Sequence, residues 1–309
     1  MAFENPCQLD ENVVNTGTEC NEAMGPTALI LLGDTSIEYT PAQVAGGMLA
    51  VLETAIHAAG KARVYPLFGN NAPIRDIQNT NGDNVLEEMP DGSTAFVRSG
   101  KFTRLFLTKE GGDCLAKILY QMNGSTLGFI EVDANNKVKM RKLANGNYSF
   151  IPVNMIDAPL PSLASFTEVF KNAFRMNFDP KYYVKEAVTF VSTEDLTGLS
   201  GLVNAEIVAG EQAASTTYVF VKVQSVCANT NLVAEFPTEI VEIDNFVVKN
   251  GASVLTPSAV AVVGGEVKIT FTAQTSGDVI TVTGAAASVL NANGITGFDI
   301  VSGASITLP

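Results

Sequence analysis

Residues 93–108 read STAFVRSGKFTRLFLT, a stretch in which apolar and polar side chains alternate. Phe96, Phe102, Leu105 and Leu107 are among its apolar members, while Arg98, Lys101 and Arg104, with Lys109 just beyond, carry charge. A period of two over this length predicts a half-buried antiparallel hairpin that turns near Ser99-Gly100. Residues 111–124, GGDCLAKILYQMNG, follow at once, and there the period changes. Leu115, Ile118, Leu119 and Met122 fall at i, i+3, i+4 and i+7, Asp113 is placed to cap the first turn, and Asn123-Gly124 supplies a left-handed stop. The expected core is a sheet with this helix, near 113–122, laid across it.

Upstream, TALILLG (27–33) is a short continuous apolar run, consistent with a buried strand. Thr40-Pro41-Ala42-Gln43 combines an N-cap, proline at the first helical position and glutamine to close a capping box, so a helix is expected over 41–59, with Gly60 at its end. Gly46-Gly47 lies inside that helix and costs about 1 kcal/mol per glycine against alanine, so the helix is either held by packing or broken there. ARVYPLF (62–68) and NVLEEM (84–89) read as strands, separated by a long polar stretch from Gly69 to Asp83 that reads as a contact loop. Residues 1–26 show little periodicity and read as an extended arm.

Downstream, GFIEVD turns at Ala134-Asn135-Asn136 into KVKMRKL, and Asn145-Gly146-Asn147 leads into YSFIPVN. Phe166, Phe170, Phe174 and Phe178 are four apart. That spacing fits a helix or a strand, and the β-rich flanks with Asp179-Pro180 at the end favour the strand. Residues 184–191 read as a further strand. Beyond Phe236-Pro237 the composition shifts to Val, Thr, Ala and Gly, without arginine or histidine. Strands separated by Gly-rich turns restart there, predicting a small β-sandwich over 237–309, with Ig-like as the nearest label. The expected class is mainly β (α+β): a tube-type antiparallel sheet or barrel over 27–235 with one or two packed helices, then the sandwich.

Length and composition bound the function. The chain has 309 residues, 46% of them hydrophobic, and a net charge of -13, which suits two or three folded domains and argues against a phosphate-neutralising surface. A channel past which DNA slides is compatible with that charge. Cys7, Cys20, Cys114 and Cys227 form no C-x-x-C pair. A zinc site is therefore not expected, Cys114 and Cys227 read as small buried hydrophobes, and Cys7 and Cys20 could bridge only in an oxidising setting. No apolar run suits a membrane span, and the acidic N-terminus lacks a secretory pattern, so synthesis in the cytoplasm is expected.

Catalytic chemistry finds little footing. The single histidine, His57, sits among alanines in a helical context, so a nucleophile–base arrangement lacks its usual base. Glu87-Glu88 point to opposite faces of a strand. No calcium-loop or phosphate-loop spacing is present. No enzyme activity, cofactor or metal is expected. The one basic cluster, Lys137, Lys139, Arg141 and Lys142, puts three cations on one strand face and reads as the positive half of a contact between subunits.

The order of elements from Arg63 to Val191 resembles tail-tube and related virion proteins of tailed bacteriophages. The matching features are RVYP, the polar stretch, VRSGKFTRLFLT, GGDCLAKILYQMNG, the hairpin around GFIEVDANNKV, and a strand pair with FDP between. An Ig-like C-terminal appendage also occurs in such proteins. The double-glycine helix and the long N-terminal segment depart from the simplest tube proteins and leave a terminator, baseplate-ring or capsid-associated role open. The resemblance implies a virion protein that assembles with copies of itself, in hexameric rings, into a tube through which DNA passes without sequence-specific binding. Other virion proteins are the further partners implied. Arg98, Lys101, Arg104, Lys137, Lys139 and Arg141 are the candidate subunit contacts. The alternative is a capsid-decoration or adhesin-type protein acting through its Ig-like end.

Overall fold

The computed structural model describes residues 24–309 apart from 69–72, 92, 101, 111, 126, 162–168 and 228. Most of the expected N-terminal arm, the pairing of Cys7 with Cys20, and Lys101 lie outside the described residues. The chain divides into two units, Met1–Gly201 and Leu202–Pro309, and is mainly β.

In the first unit, β1 (Thr27–Gly33) lacks alternation because both its faces are covered: Leu29, Ile30, Leu31 and Leu32 are fully buried. After β2 (Glu38–Tyr39) comes α1 (Pro41–Ala45). Its capping box is complete, with Gln43 N donating to Thr40 Oγ1 at 3.3 Å and Thr40 N to Gln43 Oε1 at 2.8 Å. The predicted 41–59 helix breaks at its glycines: Gly47 takes φ +100°, and α2 (Met48–Ile56) restarts beyond it. Next comes β3 (Tyr65–Phe68).

Four strands follow, and they nest: β4 (Asp76–Asn81), β5 (Val85–Glu88), β6 (Thr94–Arg98) and β7 (Phe102–Thr108). The outer pair is β4 with β7, from Asp76↔Leu107 to Asn81↔Phe102. The inner pair is β5 with β6, from Leu86↔Phe96 to Glu88↔Thr94. This corrects the expected β6–β7 hairpin. Ser99-Gly100 is the joint where the inner pair meets the outer, and the chain reverses farther out, where Met89 N donates to Ser93 O at 2.7 Å. A Cβ on Gly100 would stand 1.8 Å from the Gly82 carbonyl oxygen, so glycine serves close backbone approach at the joint. The polar stretch 69–83, read as a loop, therefore contains a paired strand.

The helix α3 (Gly112–Gln121) lies on the sheet as expected, but it starts before Asp113, which sits inside the first turn and not at the cap. Leu119, 1% exposed, joins Phe106, Phe129 and Phe174 in one buried cluster, with Leu115 and Met122 packed at its margin. Ile118, the fourth member of the predicted stripe, is exposed instead. The remaining strands of this unit are β8 (Gly128–Asp133), β9 (Lys137–Lys142), β10 (Tyr148–Ser149), β11 (Ile151–Asp157), β12 (Asn172–Phe178) and β13 (Ala187–Val191). Of the phenylalanine run, Phe166 lies outside the described residues and Phe170 precedes the strand, which covers 172–178 and buries Phe174, Met176 and Phe178. The strand expected from Val184 begins only at Ala187, because a π-helical turn occupies Lys181–Glu186.

The sheet runs β2, β10, β9, β8, β11, β12, β7, β4, with β1 bonded to β3 and β8, and β13 to β9. Its hub is β8. One edge of β8 pairs with β1, while the other is shared between β11 at its start and β9 at its end. All six β8 residues are buried.

The second unit begins well before the composition shift, because pairing and not composition defines it. Here β14 (Val203–Ala209) and β15 (Tyr218–Ser225) precede β16 (Phe246–Asn250), β17 (Ser253–Leu255), β18 (Ala259–Val263), β19 (Glu266–Thr270) and β20 (Val279–Gly284). The helix α4 (Ala287–Ala292), β21 (Phe298–Ser302) and β22 (Ala304–Thr307) complete it. One sheet runs β18, β19, β15, β14, β21 and the other β17, β16, β20, β22. Ile207, Val221 and Ile269 from the first sheet share a core with Val248, Ile280 and Val282 from the second. A boundary at 236/237 would strip this core of two central strands.

Two outcomes follow. A fragment 202–309 should fold with a cooperative thermal transition, whereas 237–309 should not; a cooperative 237–309 fragment would place the boundary where the composition changes. Leu119→Asp should unfold the first unit, since a buried unpaired carboxylate costs several kcal/mol, and loss of its near-ultraviolet circular dichroism would show this.

Candidate assembly surface

The six candidate contact residues have different fates, and the reason lies in strand parity. On β7, Phe102, Arg104, Phe106 and Thr108 share the inward face, so Arg104 points into the core and is 9% exposed. Its Nη1 pairs with Glu131 Oε1 of β8 at 2.5 Å, and its Nη2 donates to Thr27 Oγ1 at 3.1 Å. The Thr27 hydroxyl donates to the same Glu131 oxygen, and the Tyr183 hydroxyl reaches Glu131 Oε2 at 3.3 Å. The guanidinium also lies 5.2 Å from the Phe106 ring centre. Arg104 is therefore part of the fold and not a surface contact.

The basic face of β9 is also satisfied from within. Lys139 sits directly across from Glu131 in the β8–β9 register, with its Nζ 3.6 Å from the Tyr183 ring centre. Arg141 Nε bonds Glu186 Oε2 at 2.6 Å, and its guanidinium lies over Tyr182. Lys137 is likewise engaged, and its backbone N–H donates to Asp133 Oδ1 at 2.8 Å. The π-helical turn supplies the partners that the sequence reading assigned to a neighbouring subunit. Sequence spacing had no means of bringing Tyr182, Tyr183 and Glu186 back onto β9.

Arg98 alone among the six is exposed on the described surface, and it lies on the inner hairpin. Among the described residues, that hairpin, β5 with β6, has no third strand beside it. Leu86 and Phe96 are cross-strand partners, 57% and 60% exposed, and Val97 on the opposite face is 53% exposed. Val85 and Met89 add to the apolar surface. A two-stranded ribbon is marginal in water by itself, and one carrying bare apolar side chains on both faces leaves burial incomplete in the isolated chain. Alternation was visible in the sequence here, but nothing local distinguished a covered strand from a projecting one.

Where the ribbon meets the sheet, a cleft of about 570 Å³ opens between Arg98, Ser99 and Gly100 on one side and Asp179, Lys181 and Val184 on the other. Val184 is 71% exposed. Arg98 forms no ion pair among the described residues. Lys181 Nζ stands 3.8 Å from Glu186 Oε1 and remains largely exposed.

Elsewhere, His57 Nδ1 lies 2.7 Å from the Glu53 carbonyl at the end of α2, a helix-terminal contact. Cys114 and Cys227 each take part in a disulfide, which corrects their expected role as free apolar side chains. Among the described residues, no three His, Cys, Asp or Glu side chains are grouped to hold a metal, and no helix is long and apolar enough to cross a membrane. No protein-family model and no curated protein matches the chain.

Burial pushes the Lys139 ammonium down from 10.5 to about 8, with Arg104 adding to the shift and Glu131 opposing it. Below pH 8 both folded and unfolded chains carry that proton, and the folded state bears the full cost of the buried charge. Between about 8 and 10 the unfolded chain holds the proton more often, so this group makes stability rise with pH. Near pH 10 Tyr39 and Tyr183 reverse the trend, because burial raises both phenols. Lys139→Met should accordingly be more stable than wild type at pH 7, with the difference narrowing by pH 9.5. Chemical denaturation at the two pH values measures this, and a constant difference would show that the ammonium is well solvated.

Proposed function

We propose that the chain is a structural virion protein of the tail-tube type, which assembles with its own copies into rings that stack around a DNA passage. The observation that carries this reading is the projecting β5–β6 ribbon, apolar on both faces, which gains stability only when another surface covers it. A sheet with open edges adds support, because joining the sheets of neighbouring copies removes unpaired edge groups. With its net charge of -13, a passage lined by such chains would bind DNA weakly. The element order from Arg63 to Val191 connects these features to phage tube proteins. In this reading the mature protein resides in the virion, and the two-sheet C-terminal unit is an Ig-like module on the outside of the assembly.

A second reading rests on β18. Its sequence AVAVV carries no charge, and it is an edge strand of the C-terminal unit. A bare edge of this kind accepts a strand from another chain, as a capsid-decoration or adhesin module would use it.

Replacing residues 85–98 by a short Gly-Ser turn separates the two readings. The tube reading expects a folded monomer that no longer forms rings or tubes in negative-stain images, while removal of 202–309 leaves them intact. Assembly that survives loss of the ribbon but fails without 202–309 would favour the second reading.

A further inference from the structure

The ribbon and the cleft at its base are different patches on one molecule, and their chemistry is complementary. Glu87 and Glu88 stand at the outer end of β5, followed by Asp91 in the tip. Both glutamates are exposed, and neither forms an ion pair among the described residues. On either side of them, Leu86 and Met89 present apolar surface. The cleft offers the converse: Arg98 and Lys181 as exposed cations, with Val184 as an apolar wall. Asp179 also lines it, but its carboxylate accepts the Lys181 backbone N–H at 2.9 Å and is tied to its own turn. Glu186, near Lys181, is held by Arg141 at 2.6 Å.

The tip cannot reach the cleft of its own chain. The cleft includes Asn84 and Arg98 at the root of the ribbon, and the strand leads away from it at about 3.3 Å per residue, which sets Glu88 on the order of 10 Å beyond Val85. Folding the tip back would break the β5–β6 ladder. A second copy is then the occupant that matches the cleft in charge and in apolar character.

We propose that the acidic ribbon tip of one copy seats in the Arg98–Lys181 cleft of the next. This deepens the self-assembly reading and rests on it. The contact is heterologous, with tip on one side and cleft on the other, so repetition yields a closed ring or an open filament and not a two-fold dimer. Each copy covers its neighbour's bare ribbon and offers its own. Charge complementarity fixes the register, while Leu86, Met89 and Val184 supply apolar burial.

The test uses two full-length variants. In the first, Glu87→Lys and Glu88→Lys reverse the tip; in the second, Arg98→Glu and Lys181→Glu reverse the cleft. All four positions are on the surface, and matching circular dichroism and melting curves would establish that each variant is folded. Alone, each variant should assemble more than about tenfold more weakly than wild type in sedimentation velocity, since like charges then meet. Mixed in equal amounts, they should reassemble, because each reversed tip finds a reversed cleft and each native tip a native one. If both variants assemble as wild type does, or if mixing restores nothing, the docking proposal is overturned while self-assembly stands. A wild-type chain that stays monomeric at every concentration overturns the assembly reading and this proposal together. A misfolded variant is bypassed by the pair Glu88→Cys and Lys181→Cys, held in separate chains. An oxidised cross-link between them supports the contact, and its absence in wild-type-like assemblies refutes it.

Discussion

Glu131 is a buried carboxylate on which four different parts of the chain converge, three of them bonding it and Lys139 standing across from it in the ladder. Arg104 arrives from β7, Thr27 from the start of β1, Lys139 from the neighbouring β9, and Tyr183 from the π-helical turn. In the order of the sheet, β7 and β8 are separated by β11 and β12, so the sheet must curl for the Arg104–Glu131 pair to form. Removing Arg104, the partner in its ion pair, would strand a buried charge, at about 3–5 kcal/mol, whereas replacing the whole group by apolar side chains is often tolerated. The cluster is therefore better understood as fixing which strands face one another than as a net source of stability. Around it, Phe102, Phe129, Phe178 and Tyr183 pack with ring centres 4.7–6.0 Å apart.

That internal use of charge shapes the surface. Arg104, Lys139 and Arg141 are occupied within the chain, so among the described residues the cations facing solvent near the ribbon are few, and Arg98 and Lys181 stand out at its root. The ribbon itself is the part of the first unit that the core does not reach. Among the described residues, this hairpin is bare apolar surface on a unit whose other strands are largely buried.

Much of the fold was legible from local patterns, because the physics there is local. The Thr40–Gln43 capping box, the turn at Ala134-Asn135-Asn136 and the Leu115–Leu119–Met122 stripe each need only a few adjacent residues. Pairing across distance was not legible. Ser99-Gly100 has the composition of a hairpin turn, yet its glycine answers to the backbone of Gly82, which no spacing rule brings beside it. An arginine in an alternating strand reads as solvent-facing, and only the three-dimensional position of Glu131 turns Arg104 inward. The composition shift at Phe236-Pro237 is real, but β14 and β15 belong with the strands that follow it, since ladder bonds and core contacts draw the boundary. Of the proposed contact residues, Arg98 lies exposed on the hairpin, while the exposure of Leu86, Phe96 and Val97 was not legible because alternation says nothing about what covers a strand.

The account turns on whether the ribbon is bare in the free chain and covered in the assembly. Hydrogen–deuterium exchange of the backbone amides of residues 85–98, compared between dilute protein and protein concentrated into its assembled form, measures this directly. The account predicts fast exchange in the dilute chain and marked protection on assembly, with the amides of β8 slow in both states. Assemblies in which residues 85–98 exchange as fast as in the dilute chain would contradict it.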